Sequence, residues 1–164
     1  MAEENGLHKK GDWKKAKNVT EKVTLLIEES CVVCAQRLAL QGEKIAKEHI
    51  QNQDLGWTPL KPATIANKVR KGYSELIYVA TSTYFQSITG WNEGTTALIG
   101  VRRGTLTDTG GDLGIVAATL EFGSPSHNVP ERPLWRPTGT ELEEWCKKEN
   151  DPAKLALEKL KKEA

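Results

Sequence analysis

Between Asn18 and Gln53 the chain contains no proline, and apolar residues recur at helical spacing across more than thirty positions. Val19, Val23, Leu26, Ile27, Ser30, Cys34, Leu38 and Ile45 follow one another at intervals of three, four and seven. That pattern is one face of an α-helix with 3.6 residues per turn. Asn18 stands where an N-cap belongs, and Glu21 three residues later completes a capping-box pattern. A second apolar line, Leu25, Val32, Val33 and Leu40, runs on roughly the opposite side. A helix that is apolar on two sides is sandwiched in its own domain or shared with another subunit. The rest of the chain offers no second layer, so the expectation is a subunit interface along that line.

The chain has 164 residues, 38% hydrophobic and 27% charged, which suits one globular domain with a usable core. Residues 1–17 are polar and lysine-rich, and the reading is a flexible tail ahead of a single domain over 18–164. Trp13 is the tail's one candidate anchor. The formal net charge is only +1, from 23 basic and 22 acidic residues, which argues against a dedicated nucleic-acid binder. Lysines gather at both ends, and runs of this kind are commonly solvated. No apolar stretch is long enough to span a bilayer and no signal-peptide pattern opens the chain, so the expected location is the cytoplasm. Three cysteines, Cys31, Cys34 and Cys146, do not suggest a disulfide scaffold.

Downstream of the long helix, Gly56 to Pro62 reads as a turn-rich connector. Pro62 is suited to the first turn of a short helix through Lys68. Thr83–Trp91 and Thr95–Arg102 read as strands, joined by a turn at Trp91-Asn92-Glu93-Gly94. Ile115–Phe122 reads as a third strand. The glycine-rich loop between the last two, 103–114, is long and polar, as functional or binding-ordered loops are. A C-terminal helix capped by Thr138 or Thr140 follows, and Asn150-Asp151-Pro152 separates it from a last amphipathic segment. The predicted class is α+β: a long N-terminal helix packed on an antiparallel β-sheet, with a C-terminal helix.

The stretch Leu120-Glu121-Phe122-Gly123, then Val129-Pro130-Glu131-Arg132-Pro133-Leu134-Trp135-Arg136-Pro137, is unusual in composition. Three prolines in eight residues each fix φ, delete a donor and push the preceding residue towards extended geometry. The expectation is a stiff extended arm leaving a sheet edge. Its Leu134 and Trp135, beside Arg132 and Arg136, have the composition of interface anchors. Pre-organisation by proline lowers the entropy lost on docking.

Catalytic and metal chemistry finds little support in the sequence. Cys31-x-x-Cys34 lies mid-helix without a second pair, and tetrahedral zinc needs four ligands. The 103–114 loop lacks the Gly-Lys-Ser/Thr ending of a phosphate loop. Ser126-His127 near Glu121 suggests a nucleophile and base, but there is no Gly-x-Ser-x-Gly elbow. Glu28-Glu29 and Glu143-Glu144 have the look of solvated helix faces. No cofactor or metal is expected. Trp57 and Trp91 fall at loops or element ends, where covering a core edge and forming a contact surface are both open.

Taken in order, Trp57-x-Pro59-Leu60 with Pro62 and Thr64, Leu76-Ile77, Thr81, Ser87-Ile88, Leu120-Glu121-Phe122-Gly123 and Pro130-x-Arg132-Pro133-Leu134 form a series. The series resembles the tailed-phage family of virion morphogenesis and tail completion proteins. It is similar to the Mu-type G protein and to the head–tail joining proteins of lambdoid siphophages. The resemblance spans roughly residues 55–137. This chain has Thr81-Ser82 where the family commonly has Thr-Gly, Tyr84 in place of a leucine, and Leu134-Trp135 in place of Phe-Leu. The resemblance implies a non-enzymatic structural protein forming a ring, often a hexamer, at the neck or the top of the tail. It also implies a place in the virion, and in host cytoplasm during assembly. Partners would be further copies of the chain and neck and tail proteins, with DNA passing through the ring. A ring made by heterologous contacts needs two different patches per subunit. The expected patches are Leu25, Val32, Val33 and Leu40 on one side, and Arg132, Leu134 and Trp135 on the other. The 103–114 loop would face the lumen or an axial partner. Alternatives are a tail terminator and a small nucleic-acid-binding protein using its lysine-rich ends; an enzyme ranks last.

Overall fold

A computed structural model describes residues 11–162 of the chain. Its longest element is helix α1, Trp13–Asn52, whose 40 residues extend about 60 Å at 1.5 Å per residue. Asp12 caps it, accepting a hydrogen bond from the Lys15 N–H at 3.0 Å. The helix therefore begins five residues before the expected Asn18 cap, and Trp13–Lys17 are helical rather than tail. Asp12 precedes a run of lysine and alanine, residues with good helix propensity, so a polar composition concealed a helix start. The rest of the expected tail, residues 1–10, lies outside the described residues. Everything from Trp13 to Lys22 is exposed, and packing begins only at Val23 and Leu26.

Helix α2, Pro62–Arg70, opens on its proline as the sequence indicated. The expected strand over Thr83–Trp91 divides in two. Thr83–Ser87 forms the single-turn helix α3, and strand β1 occupies Ile88–Glu93. Strand β2, Thr96–Val101, pairs antiparallel with β1, from Ile88 opposite Val101 to Glu93 opposite Thr96. The turn is Gly94-Thr95, so Trp91, Asn92 and Glu93 are strand residues rather than turn. Gly94 takes φ 59°, the left-handed conformation a two-residue hairpin requires.

The third expected strand is helix α4, Leu113–Phe122. Asp112 caps it through a 2.7 Å bond from the Gly114 N–H. Leu113, Val116, Ala117 and Leu120 pack towards the core at i, i+3, i+4 and i+7. The sheet thus has two strands only among the described residues. A short run rich in β-branched residues fits either period, and here the cap and the inward helical spacing decide. The polar loop before α4 is closed on itself. Leu106 bridges Asp112, and the Leu113 N–H donates to the Thr105 carbonyl at 2.9 Å.

Helix α5, Trp135–Glu149, starts earlier than either threonine cap expected for it. Pro137 sits in its first turn, where no intrahelical donor is missed. The end of the proline segment is therefore helical, against the expectation of an extended arm throughout. Helix α6, Pro152–Lys162, follows the predicted break, with Asp151 accepting from the Ala153 N–H at 2.9 Å.

The architecture is α+β. Helix α1 lies across the hairpin and also packs against α5 and α6. Small residues set the closeness of the helix–hairpin contact. A Cβ on Gly90 would collide with the backbone carbonyl of Ala39, so the strand approaches α1 to a distance only glycine permits. The Gly90 N–H donates to the Glu43 carboxylate at 2.8 Å, and Lys47 donates to the same carboxylate. The main core gathers Ile50 of α1, Trp57, Tyr78, Tyr84, Ile88 and Leu134, with α4 packed against it.

Candidate assembly interface

The proline segment converges with residues more than seventy positions away. Glu121, at the end of α4 and 6% exposed, aims its carboxylate at the first turn of α5. It accepts from the N–H groups of Leu134 at 2.7 Å, Trp135 at 3.0 Å and Arg136 at 3.3 Å. An anion at a helix N-terminus satisfies donors that have no partner within the helix and opposes the positive end of the helix dipole. The Arg132 N–H donates to the Leu120 carbonyl at 2.7 Å, and its Nε to the Thr58 carbonyl at 3.0 Å. Trp57 Nε1 donates to the Pro133 carbonyl at 2.8 Å, and the Tyr78 hydroxyl donates to the Arg132 carbonyl. Burial, chiefly, pushes the Tyr78 hydroxyl's pKa well above the ordinary tyrosine value, so it serves as a neutral donor. Trp57, Thr58, Tyr78, Leu120, Glu121 and residues 132–136 form one clasp holding α4, α5 and the 56–60 connector together.

This placement corrects one of the two expected patches. Leu134 is 0% exposed and Arg132 is buried, so neither is a surface anchor. Trp135 is half-buried against the core in the first turn of α5. The physical reason is that a proline-stiffened segment docks with little entropy loss wherever an apolar surface is offered. Its own fold offers that surface first. The residues that satisfy the arm's carbonyls, Trp57 and Tyr78, lie too far back in sequence for a local pattern to reveal them.

The other patch stands differently. Leu25 is 61% exposed and Leu40 56%, with Val32 also exposed and Val33 half-buried. Helices α5 and α6 supply a second covering layer for α1 that the sequence did not disclose, yet they leave this stripe uncovered. Glu21 and Glu28 flank Leu25 at i−4 and i+3, on the same side of the helix as Val32.

Two further surfaces escaped the sequence. Ile115 and Phe122 are exposed on α4 at i and i+7, a relation invisible while the segment was read as a strand. A groove of about 420 Å³ lies between α2, the 73–84 segment and α4. Ile77, Val79, Leu113, Val116 and Leu120 make its apolar walls. Lys68, Lys71 and Arg132 also line it, and among the described residues no carboxylate does. Lys68 Nζ donates to the Leu76 carbonyl at 2.6 Å. Burial lowers the Lys68 pKa, against the opposing pull of nearby Glu75. The groove is assembled from residues between 60 and 132 in the sequence, so no single stretch announces it.

The remaining candidates for chemistry stay apart. Cys31, Cys34 and Cys146 are free thiols; burial, above all, raises the pKa of Cys34, which disfavours the reactive thiolate. Among the described residues no group of three histidine, cysteine or carboxylate side chains is placed to hold a metal ion. His127 Nδ1 lies 2.9 Å from Ser124 Oγ and 3.1 Å from Ser126 Oγ. These are local contacts across one exposed turn, Pro125–His127. Glu121, the acid suggested for that pair, is engaged with the α5 backbone. Among the described residues no helix is long and apolar enough to cross a membrane.

Compared with protein-family models, curated proteins and solved structures, the chain has no match.

Proposed function

We propose that this chain is a structural subunit of a tailed phage or prophage, of the head–tail joining or tail completion type, acting as a homo-oligomeric ring at the neck or top of the tail. The observation that carries the reading is the uncovered apolar stripe of α1. Leu25, Val32 and Leu40 stay in solvent although the helix is packed by the hairpin, α5 and α6. Moving such side chains out of water is worth about 25 cal/mol per Å² of apolar surface, and a second copy supplies the means. The motif series that carries the family resemblance supports the reading at the level of fold. Six of its members, Trp57, Leu120, Glu121, Arg132, Pro133 and Leu134, are joined by hydrogen bonds in the clasp. Fold alone does not dictate function, so the stripe rather than the clasp is the functional argument.

The experiment is native mass spectrometry with sedimentation velocity across a wide concentration range. The expected result is a closed oligomer of defined stoichiometry. The paired substitution L25E and V32E leaves the circular dichroism spectrum unchanged and abolishes the oligomer. A wild-type chain that stays monomeric at high concentration refutes the reading, as does an oligomer indifferent to that pair of charges.

A further inference from the structure

The self-assembly reading requires a second patch, and the burial of Arg132 and Leu134 removes the one the sequence suggested. We infer that the groove between α2 and α4 is that patch, and that it receives the Glu21–Leu25–Glu28–Val32 ridge of α1 from a second copy of this chain. This rests on the proposed assembly and adds its contact.

The argument is one of complementary chemistry. The ridge repeats acid, apolar, acid, apolar at intervals of four, three and four, which keeps all four side chains in one narrow stripe. The groove has apolar walls with Lys68 and Lys71 among its lining residues, while Arg132, which also lines it, is buried and held by the clasp, and Asp108 sits at its edge on Thr83. An apolar anchor flanked by carboxylates matches an apolar slot edged by lysines, and the wrong partner, a basic helix, is repelled. Leu25 and Val32 stand about 10.5 Å apart along the helix, the reach of a helix-in-groove contact through i and i+7 anchors. Lys68 is already bonded to the Leu76 carbonyl and Arg132 to the Thr58 carbonyl, so of the lining cations Lys71 is the one assigned to Glu28. Glu21 already faces Lys17 at 3.8 Å and Glu29 faces Lys159 of α6 at 3.3 Å, so Glu28 is the acid of the ridge on which the contact depends. Ridge and groove are different surfaces of one subunit, so the contact is heterologous, the kind that generates rings when the rotation closes.

A charge swap tests this on the full chain. E28K and K71E, each alone, are expected to weaken self-association at least tenfold by sedimentation velocity, with unchanged circular dichroism. The double variant carrying both changes is expected to recover most of it, because the reversed charges meet again across the contact. A80W places a large side chain on the rim of the groove and is expected to block association without unfolding. If the wild type assembles and all these variants assemble equally well, the groove serves some other partner and the inference is overturned while the ring reading stands. Loss in both single variants without recovery in the double also overturns it. A wild-type chain that never associates overturns the assembly reading itself.

Discussion

Replacing Glu121 with alanine tests the clasp directly. The carboxylate makes two short bonds, to the N–H groups of Leu134 and Trp135, and a longer one to that of Arg136. Hydrogen bonds to a charged group contribute about 1.5–3 kcal/mol each, and an unsatisfied buried donor costs about 1–3 kcal/mol. A favourable charge at a helix terminus adds about 0.3–1 kcal/mol. These contributions overlap, and burying the carboxylate itself costs free energy that alanine does not incur. The net expectation for E121A is a loss of about 3 kcal/mol, mostly because the buried Leu134 donor and the half-buried Trp135 donor lose their acceptor. For a chain of this size that corresponds to a fall in Tm of roughly 6–12 °C. E121Q keeps an acceptor and loses the charge, so about half that loss is expected. Urea unfolding followed by far-UV circular dichroism measures both, and an unchanged m value shows that native and denatured states keep their compactness. A loss below about 0.5 kcal/mol for E121A, within the scatter of ordinary surface substitutions, refutes the argument that this carboxylate caps α5.

Two more outcomes follow from the α1–hairpin contact. G90A is expected to destabilise by at least about 2 kcal/mol, since the added methyl meets the backbone of Ala39 rather than a side chain able to turn away; a neutral G90A in urea unfolding contradicts the close approach. Glu43 gives a pH signature: burial raises its pKa, but the hydrogen bonds from Lys47 and Gly90 outweigh that, so its folded pKa is lowered. A lowered folded pKa means that the stability is present above the ordinary glutamate value, about 4.3, and is lost as pH falls through the folded value. E43Q is expected to be less stable than wild type near neutrality, with the difference shrinking below about pH 4; a difference constant down to pH 2 contradicts this.

Much of the fold is local and therefore legible. The 3.6-residue period of α1, proline at the start of α2, and Asn150-Asp151-Pro152 between α5 and α6 each act within a few residues of where they stand. The outward stripe at Leu25, Val32 and Leu40 was legible for the same reason, being a property of one helix. Segment 113–122 was not, because a short run with isoleucine, valine and threonine satisfies both periods until Asp112 is seen to cap it. Trp13–Lys17 failed in the opposite way: charge resembled a tail, while a single aspartate had already started the helix.

By itself the sequence determined which backbone stretches coil, where they stop, and that one helix is apolar on two sides. Only the tertiary structure decided what each apolar surface meets. The proline segment and the α1 stripe looked alike as exposed interface candidates. The first is consumed by Trp57, Tyr78 and Glu121 from distant parts of the chain, and the second is left in water. Burial is a relation between segments, set by which surfaces reach each other when the chain closes. For the same reason the groove, lined by residues from Leu60 to Arg132, exists only once α2, α4 and the clasp are together.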